Sequence, residues 1–379
     1  MMLYFAELSK LKTKKLLFED VYAARDPATL EHLKELSSRR RMIEESINGS
    51  SSITEAIARE MSGGLTTWCQ RDLQKLEQYL PLLENLIFHV HVVQRNQQTA
   101  QWTPKLNICW STALSTSSFF KLMGPKFFQI CDLQFERTMT LYLYAAMLRE
   151  RAVEILPADL VQSATFFREA AGIFHYLANE ILPTLQYAGC AERPPEATPF
   201  MCTVMSLICL AEAQAVTIRK AEEKGTSVGL LAKLHYGVAE FLGEAISVLY
   251  SVAGECKDIS PRFMEFITSC KAVHELRSQK YLAEDLRTSS QIGAAIGVLR
   301  DALIHVRKKV PGEESWKSVF GNEIDATDDL LKKLEHENDF VWHEKIPYAD
   351  ELPLPQGSKI VNIISYQPKR WEGELSFKI

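Results

Sequence analysis

The feature that most constrains this chain is a helical apolar period sustained from about residue 52 to 336, in which several segments carry two apolar stripes. Leu73, Leu76, Leu80, Leu83, Leu86, Ile87 and Val90 recur at threes and fours, the signature of one face of a long helix, with Pro81 as a kink point. Between residues 132 and 155, Phe135, Met139, Tyr142 and Ala146 form one stripe, while Leu141, Tyr144, Leu148 and Ile155 form another. Pro199 to Lys224 repeats the pattern, setting Phe200, Val204, Leu207, Ile208, Ala211, Ala215 and Ile218 against Cys202, Met205, Cys209 and Val216. A helix that is apolar on two sides has neighbours on both. Such helices suit a stacked array rather than a closed four-helix bundle.

Further helical runs cover Leu160 to Leu182, Leu230 to Gly254 and Pro261 to Val310. Ser52 and Glu55 form a capping-box pattern that opens a run closing on Gly63-Gly64. Small residues near Tyr281, among them Gly293 and Ala295, have the character of a tetratricopeptide-like helix pair, but no strict 34-residue period recurs. The segment from Trp102 to Ile130 is broken by Pro104, a Ser/Thr cluster and Gly124-Pro125. After Glu337 the prolines at 347, 353 and 355 forbid further helix. The alternating stretch Ser358 to Ser365 is the best strand candidate.

Composition bounds the function. The 46% apolar and 24% charged content is that of a folded chain, and a net charge of −5 gives no general reason to bind nucleic acid. The basic clusters at Lys10, Lys12, Lys14 and Lys15, at Arg39 to Arg41 and at Arg307 to Lys309 read as solvated faces or helix ends, with weak attraction to a membrane surface as the alternative. No apolar run reaches the roughly 18 residues that span a bilayer, and the opening residues lack a cleavable leader pattern. A cytosolic protein is expected, with its eight cysteines mostly as buried small hydrophobes. The sequence ends Ser376-Phe377-Lys378-Ile379, which carries no prenylation box.

Motifs for phosphate loops, dinucleotide sites, zinc sites and nucleophile elbows are absent from the sequence. Ser118-Phe-Phe-Lys121 is a chance-level match to a Ser-x-x-Lys pair, and His89 and His91 point about 200° apart on a helix, so they share no metal. The reading is therefore no catalytic residue, no metal and no cofactor.

Four segments resemble the BRO1 domain of endosomal sorting. These are "LQFERTMTLYLYAAMLRERA" (Leu133 to Ala152), "FFREAAGIFHYLANEIL" (Phe166 to Leu182), "SLICLAEAQAVTIRKA" (Ser206 to Ala221) and "ENDFVWHEKIP" (Glu337 to Pro347), in the order the family has them. The resemblance implies an all-α, boomerang-shaped, tetratricopeptide-like solenoid with a small β element and an extended C-terminal strap. It implies a single domain over residues 1–379, with the solenoid at about 52–336 and the strap at about 337–379. Phe340 and Trp342 would plug apolar surface beneath the strap.

By the same resemblance the activity is binding: a non-enzymatic adaptor that docks an amphipathic C-terminal helix of the ESCRT-III core filament subunit in an apolar groove. The groove residues implied are Leu141, Tyr144, Val204, Met205, Ile208 and Leu331. The expected protein is a cytoplasmic monomer recruited to endosomes, in at most peripheral contact with their membrane. A membrane-surface module acting through the basic patches is the alternative. "NICWSTAL" (Asn107 to Leu114) lacks the Asp of the family's aromatic-x-Trp-x-Asp segment, so Trp110 receives no binding role.

Overall fold

The computed structural model describes residues 3–5, 7–49, 68–96, 106–115, 125–185, 192–251 and 259–378. A short helix α1 (Phe18–Val21) leads into α2 (Pro27–Gly49) and α3 (Trp68–Asn96). Strands β1 (Ile108–Ser111) and β2 (Phe127–Ile130) pair antiparallel, Ile108 opposite Ile130 and Trp110 opposite Phe128. Then follow α4 (Leu133–Ile155), α5 (Leu160–Tyr176), α6 (Pro199–Glu223), α7 (Val228–Ser251), α8 (Pro261–Thr288), α9 (Ile292–Arg307) and α10 (Glu314–Glu337).

From α2 onward each helix packs on the next in the chain, the arrangement of a solenoid. Helix starts follow from local chemistry. The Asp132 carboxylate accepts from the Gln134 amide at 2.9 Å to open α4, and that of Asp159 accepts from Val161 and Gln162 at 2.9 and 3.0 Å to open α5.

Helix α6 sits between α5 and α7. Contrary to the sequence reading, it has the length and composition to cross a membrane, yet 78% of its apolar stretch is buried within the protein. Its one acid inside the core, Glu212, receives Arg149 of α4 at 2.8 and 2.5 Å, and Arg149 also donates to the Phe5 carbonyl at 2.9 Å. A second buried hub lies at Glu136 of α4. Arg40 Nε of α2 donates to it at 2.9 Å, Tyr79 Oη of α3 at 3.0 Å and Trp110 Nε1 of β1 at 2.7 Å. Three separate elements are thereby fixed to one carboxylate whose desolvation they offset.

The strap beyond α10 retraces the solenoid backwards, touching α9, α7, α6, α5, α3 and α2 in turn. At α9, Gly293 and Gly297 leave room for it: a Cβ on Gly293 would overlap the Lys345 carbonyl, and one on Gly297 would lie 2.6 Å from Leu352 Cδ2. At α7, Gly237 passes beneath the Ser358 carbonyl, and the Ser358 amide donates to the Lys233 carbonyl at 3.0 Å. The side chain of Gln214 on α6 donates to the Ser358 carbonyl at 2.9 Å and accepts from the Ile360 amide at 3.0 Å. At α5, Gly172 lies under the Ile364 carbonyl, and Arg168 donates to the Asn362 carbonyl at 2.8 Å. At α3, the Trp371 amide donates to the Pro81 carbonyl at 3.1 Å, and Asn85 donates to the Gly373 carbonyl at 3.0 Å. Near the start of α2, Ser376 and Lys378 complete the path against Thr29 and Ala23.

The structure differs from the sequence expectations at further points. Helix α2 lies ahead of the helical region expected from about residue 52, because its inward face includes His32, Ser37 and Arg40, which break the apolar stripe. Residues Ser358 to Ser365 pair with no strand among the described residues; their amides find helix carbonyls and a side chain instead. Phe340 and Trp342 do not plug the core, being 72% and 45% exposed. The buried Asn338 donates to the Glu344 carbonyl at 3.0 Å and accepts from its amide at 2.9 Å, and His343 adopts a left-handed φ of 52°. That bracket turns the aromatics outward, so Leu334, Ile346 and Leu352 cover α9 instead. The capping-box run at Ser52 and the Ser118–Lys121 pair lie outside the described residues.

Candidate functional site

The family resemblance implied six groove residues, and the structure separates them. Leu141, Val204, Met205 and Ile208 have no exposed surface and belong to the main core cluster. The expectation that they line a groove is thereby corrected: their stripe faces neighbouring helices of the same chain. Tyr144 and Leu331 are half-buried at the edge of the packed interior. Leu331, on α10, packs between two apolar clusters, and Tyr144 opens onto a cleft that Leu331 does not line.

Helix geometry accounts for Tyr144. Tyr142, two residues earlier, lies about 200° away around α4, where it is fully buried and meets the Phe174 ring edge-on at 5.1 Å. Tyr144 therefore emerges on the opposite side, between α3 and α5. The cleft there has a volume of about 520 Å³. Leu73 and Glu77 of α3, Leu148 and Arg151 of α4, and Phe166, Glu169 and Ile173 of α5 line it, and the strap closes one wall with Ile364 and Tyr366. An apolar floor with polar edges is the surface an amphipathic helix covers. The Tyr144 hydroxyl donates to Glu77 at 3.1 Å. Burial, then the Glu77 charge, raises the Tyr144 phenol above its ordinary range, and burial followed by Glu77 raises the Glu169 carboxyl.

A smaller cavity of about 290 Å³ opens between α6, α7, α8 and α10. Inside it, His235 and His274 share a hydrogen bond between their Nδ1 atoms at 3.0 Å, and Tyr281 stacks on His235 at 5.5 Å while donating to Glu222 at 2.7 Å. Burial lowers both imidazoles, while the contacts of His235 and Tyr281 bring Glu222 down to about 2. Arg277 grips Glu323 at 2.8 and 2.6 Å. Among the described residues no group of three His, Cys, Asp or Glu could hold a metal ion. Burial raises the thiols of Cys202, Cys209 and Cys270, which keeps them protonated and unreactive.

The basic clusters are largely engaged within the protein. Arg40 is buried on Glu136; Arg39 and Arg41 pair with Glu35 and Glu45 one turn away; Arg307 pairs with Asp328 and Lys309 with Glu275. His89 is half-buried and contacts the Asn85 carbonyl at 2.9 Å, and His91 is exposed, consistent with the sequence reading.

Residues 34–377 match the BRO1-like domain family. The pH-response regulator protein palA/RIM20 of Emericella nidulans is 27% identical over 234 residues, which is 59% of this chain and 26% of that protein. The chain thus spans about a quarter of the length of that curated relative. Among solved structures, the ALIX BRO1 CHMP4C complex superposes with a TM-score of 0.69 at 19% identity, covering 94% of both chains. A structure describing the basis for endosomal targeting by the Bro1 domain superposes with a TM-score of 0.69 at 17% identity, covering 96% of this chain and 94% of the other. At these identities the structural likeness establishes the fold: an all-helical solenoid with a two-stranded sheet and a returning strap.

Proposed function

We propose, since the chain belongs to the BRO1-like domain family, that it acts as a non-enzymatic adaptor in endosomal sorting and docks an amphipathic helix of an ESCRT-III filament subunit in the Tyr144 cleft. The observation that carries this reading is the cleft itself, where Tyr144, Phe166, Ile364 and Tyr366 keep part of their apolar surface uncovered over a floor of buried Leu73, Leu148 and Ile173. The CHMP4C complex of the ALIX BRO1 domain, whose fold this chain shares, supports the choice of partner. On this reading the protein is a cytoplasmic monomer brought to endosomes through the filament subunit rather than through its own charge.

Fluorescence anisotropy with a labelled C-terminal CHMP4C peptide tests the proposal. Tyr144→Asp is expected to abolish binding with unchanged helical circular dichroism, because a charge at the half-buried rim disrupts the apolar contact without entering the core. Leu141→Asp is expected to unfold the domain. Leu331→Asp examines the other surface position. Loss of binding there, with Tyr144→Asp unaffected, would move the site to α10 and overturn the assignment.

A further inference from the structure

The Tyr144 cleft is unevenly charged. Glu77 of α3 and Glu169 of α5 flank Tyr144 of α4, and its phenol feels both carboxylates. Neither acid has an ion-pair partner among the described residues; the Glu77 contact is the neutral hydroxyl of Tyr144. The two acids also act on one another, since the Glu77 charge adds to burial in raising the Glu169 carboxyl. Two cations line the same cleft. Arg151 is engaged by Glu154 at 2.9 Å, and Lys369 sits on the strap wall with no ion pair among the described residues. With the internal pair set aside, two carboxylates face one ammonium, and the surplus is negative. Glu77 is exposed and Glu169 half-buried, and two like charges facing one cleft favour a cation there, most strongly at low ionic strength.

We propose that this cleft selects an amphipathic partner helix carrying a lysine or arginine beside its apolar stripe, with the cation seated between Glu77 and Glu169. The inference rests on the docking reading given above and adds the charge that the occupant must bear. The apolar stripe supplies affinity through burial against the partly exposed Tyr144, Phe166, Ile364 and Tyr366, while the basic residue fixes register and discriminates among helices of equal hydrophobicity. A helix presenting an acid at that position would add a third negative charge to the pair.

The experiment uses two synthetic amphipathic peptides with the same leucine stripe, one with Lys and the other with Glu at the flanking position, titrated against the whole chain by anisotropy. The Lys peptide is expected to bind about tenfold more tightly at low salt, with the ratio shrinking as ionic strength rises. In the Glu77→Gln/Glu169→Gln double variant, both peptides should bind with similar affinity and the protein should retain its helical circular dichroism. Equal affinities in the wild type, tighter binding of the Glu peptide, or a Lys preference that survives in the double variant would each overturn the selectivity while leaving docking in place. Absence of binding by both peptides, together with absence of CHMP4C peptide binding, would overturn the docking reading and this inference with it.

Discussion

No methyl group fits between the Cα of Gly172 and the carbonyl oxygen of Ile364. The strap crosses α5 at this point on bare backbone, as it does at Gly237 on α7 and Gly293 on α9. Inside a helix, alanine is ordinarily more stable than glycine by about 0.5–1 kcal/mol. Here a Cβ would meet a backbone carbonyl, which cannot rotate away as a side chain can.

Gly172→Ala should therefore destabilise the protein by roughly 1–3 kcal/mol, the usual cost of overpacking. Gly321→Ala, on α10 where nothing stands within 4 Å of the added carbon, should stabilise it by about 0.5–1 kcal/mol. Urea unfolding of the two variants checks the sign of each. Stabilisation by Gly172→Ala would mean that the strap does not rest on α5.

The hub at Glu136 makes a second prediction. Arg40 and Glu136 are both almost wholly buried, so Glu136→Leu leaves the guanidinium with only the more distant Glu44 carboxylate at 3.6 Å and strips Tyr79 and Trp110 of their acceptor, and is expected to cost about 3–5 kcal/mol. The double variant Arg40→Met/Glu136→Leu removes both charges and should recover a large part of that loss. A double-mutant cycle measured by thermal unfolding decides the matter, and strictly additive losses would show that the pair is uncoupled.

Much of the architecture is legible in the sequence, and the parts that are not share a physical cause. The stripe from Leu73 to Val90 is buried as its spacing requires, since periodicity reports directly which face leaves water. Helix α2 escapes that test because a paired Arg40 is as much a core residue as a leucine. The residues that carry the BRO1 resemblance can be recognised, but their work depends on chain far away: Glu136 holds Arg40 across 96 positions and Gln214 holds Ser358 across 144. Spacing along one helix contains no record of such partners. The site is harder still. A stripe that packs on the next helix and a stripe that waits for a guest are both apolar, so Val204, Met205 and Ile208 read the same as Tyr144 until their neighbours are known. Phe340 and Trp342 mislead for the converse reason, because a buried asparagine overrides the tendency of aromatics to turn inward.

The histidine pair gives the stability of the fold a pH dependence with a defined sign. Burial holds His235 and His274 below their ordinary value of 6.5, so the folded protein binds fewer protons than the unfolded chain at mildly acidic pH. Stability is unaffected by them above about 6.5 and is lost as pH falls below it, by up to about 1.4 kcal/mol per pH unit for each imidazole. Glu222, brought to about 2 from 4.5, contributes above 4.5 and loses its contribution between these values, below the pH 7 to 5 range of the measurement. Urea unfolding between pH 7 and 5 should show stability declining, with a shallower slope in His274→Gln. An unchanged slope in that variant would remove the pair from the account.

The most direct test of the central claim is hydrogen–deuterium exchange of the whole chain with and without the CHMP4C C-terminal peptide. Docking in the Tyr144 cleft predicts new protection on α3 around Leu73 to Glu77, on α4 around Tyr144 to Arg151, on α5 around Phe166 to Ile173 and on the strap around Ile364 to Lys369. Protection confined to α10 around Leu331, or no change at saturating peptide, would contradict it.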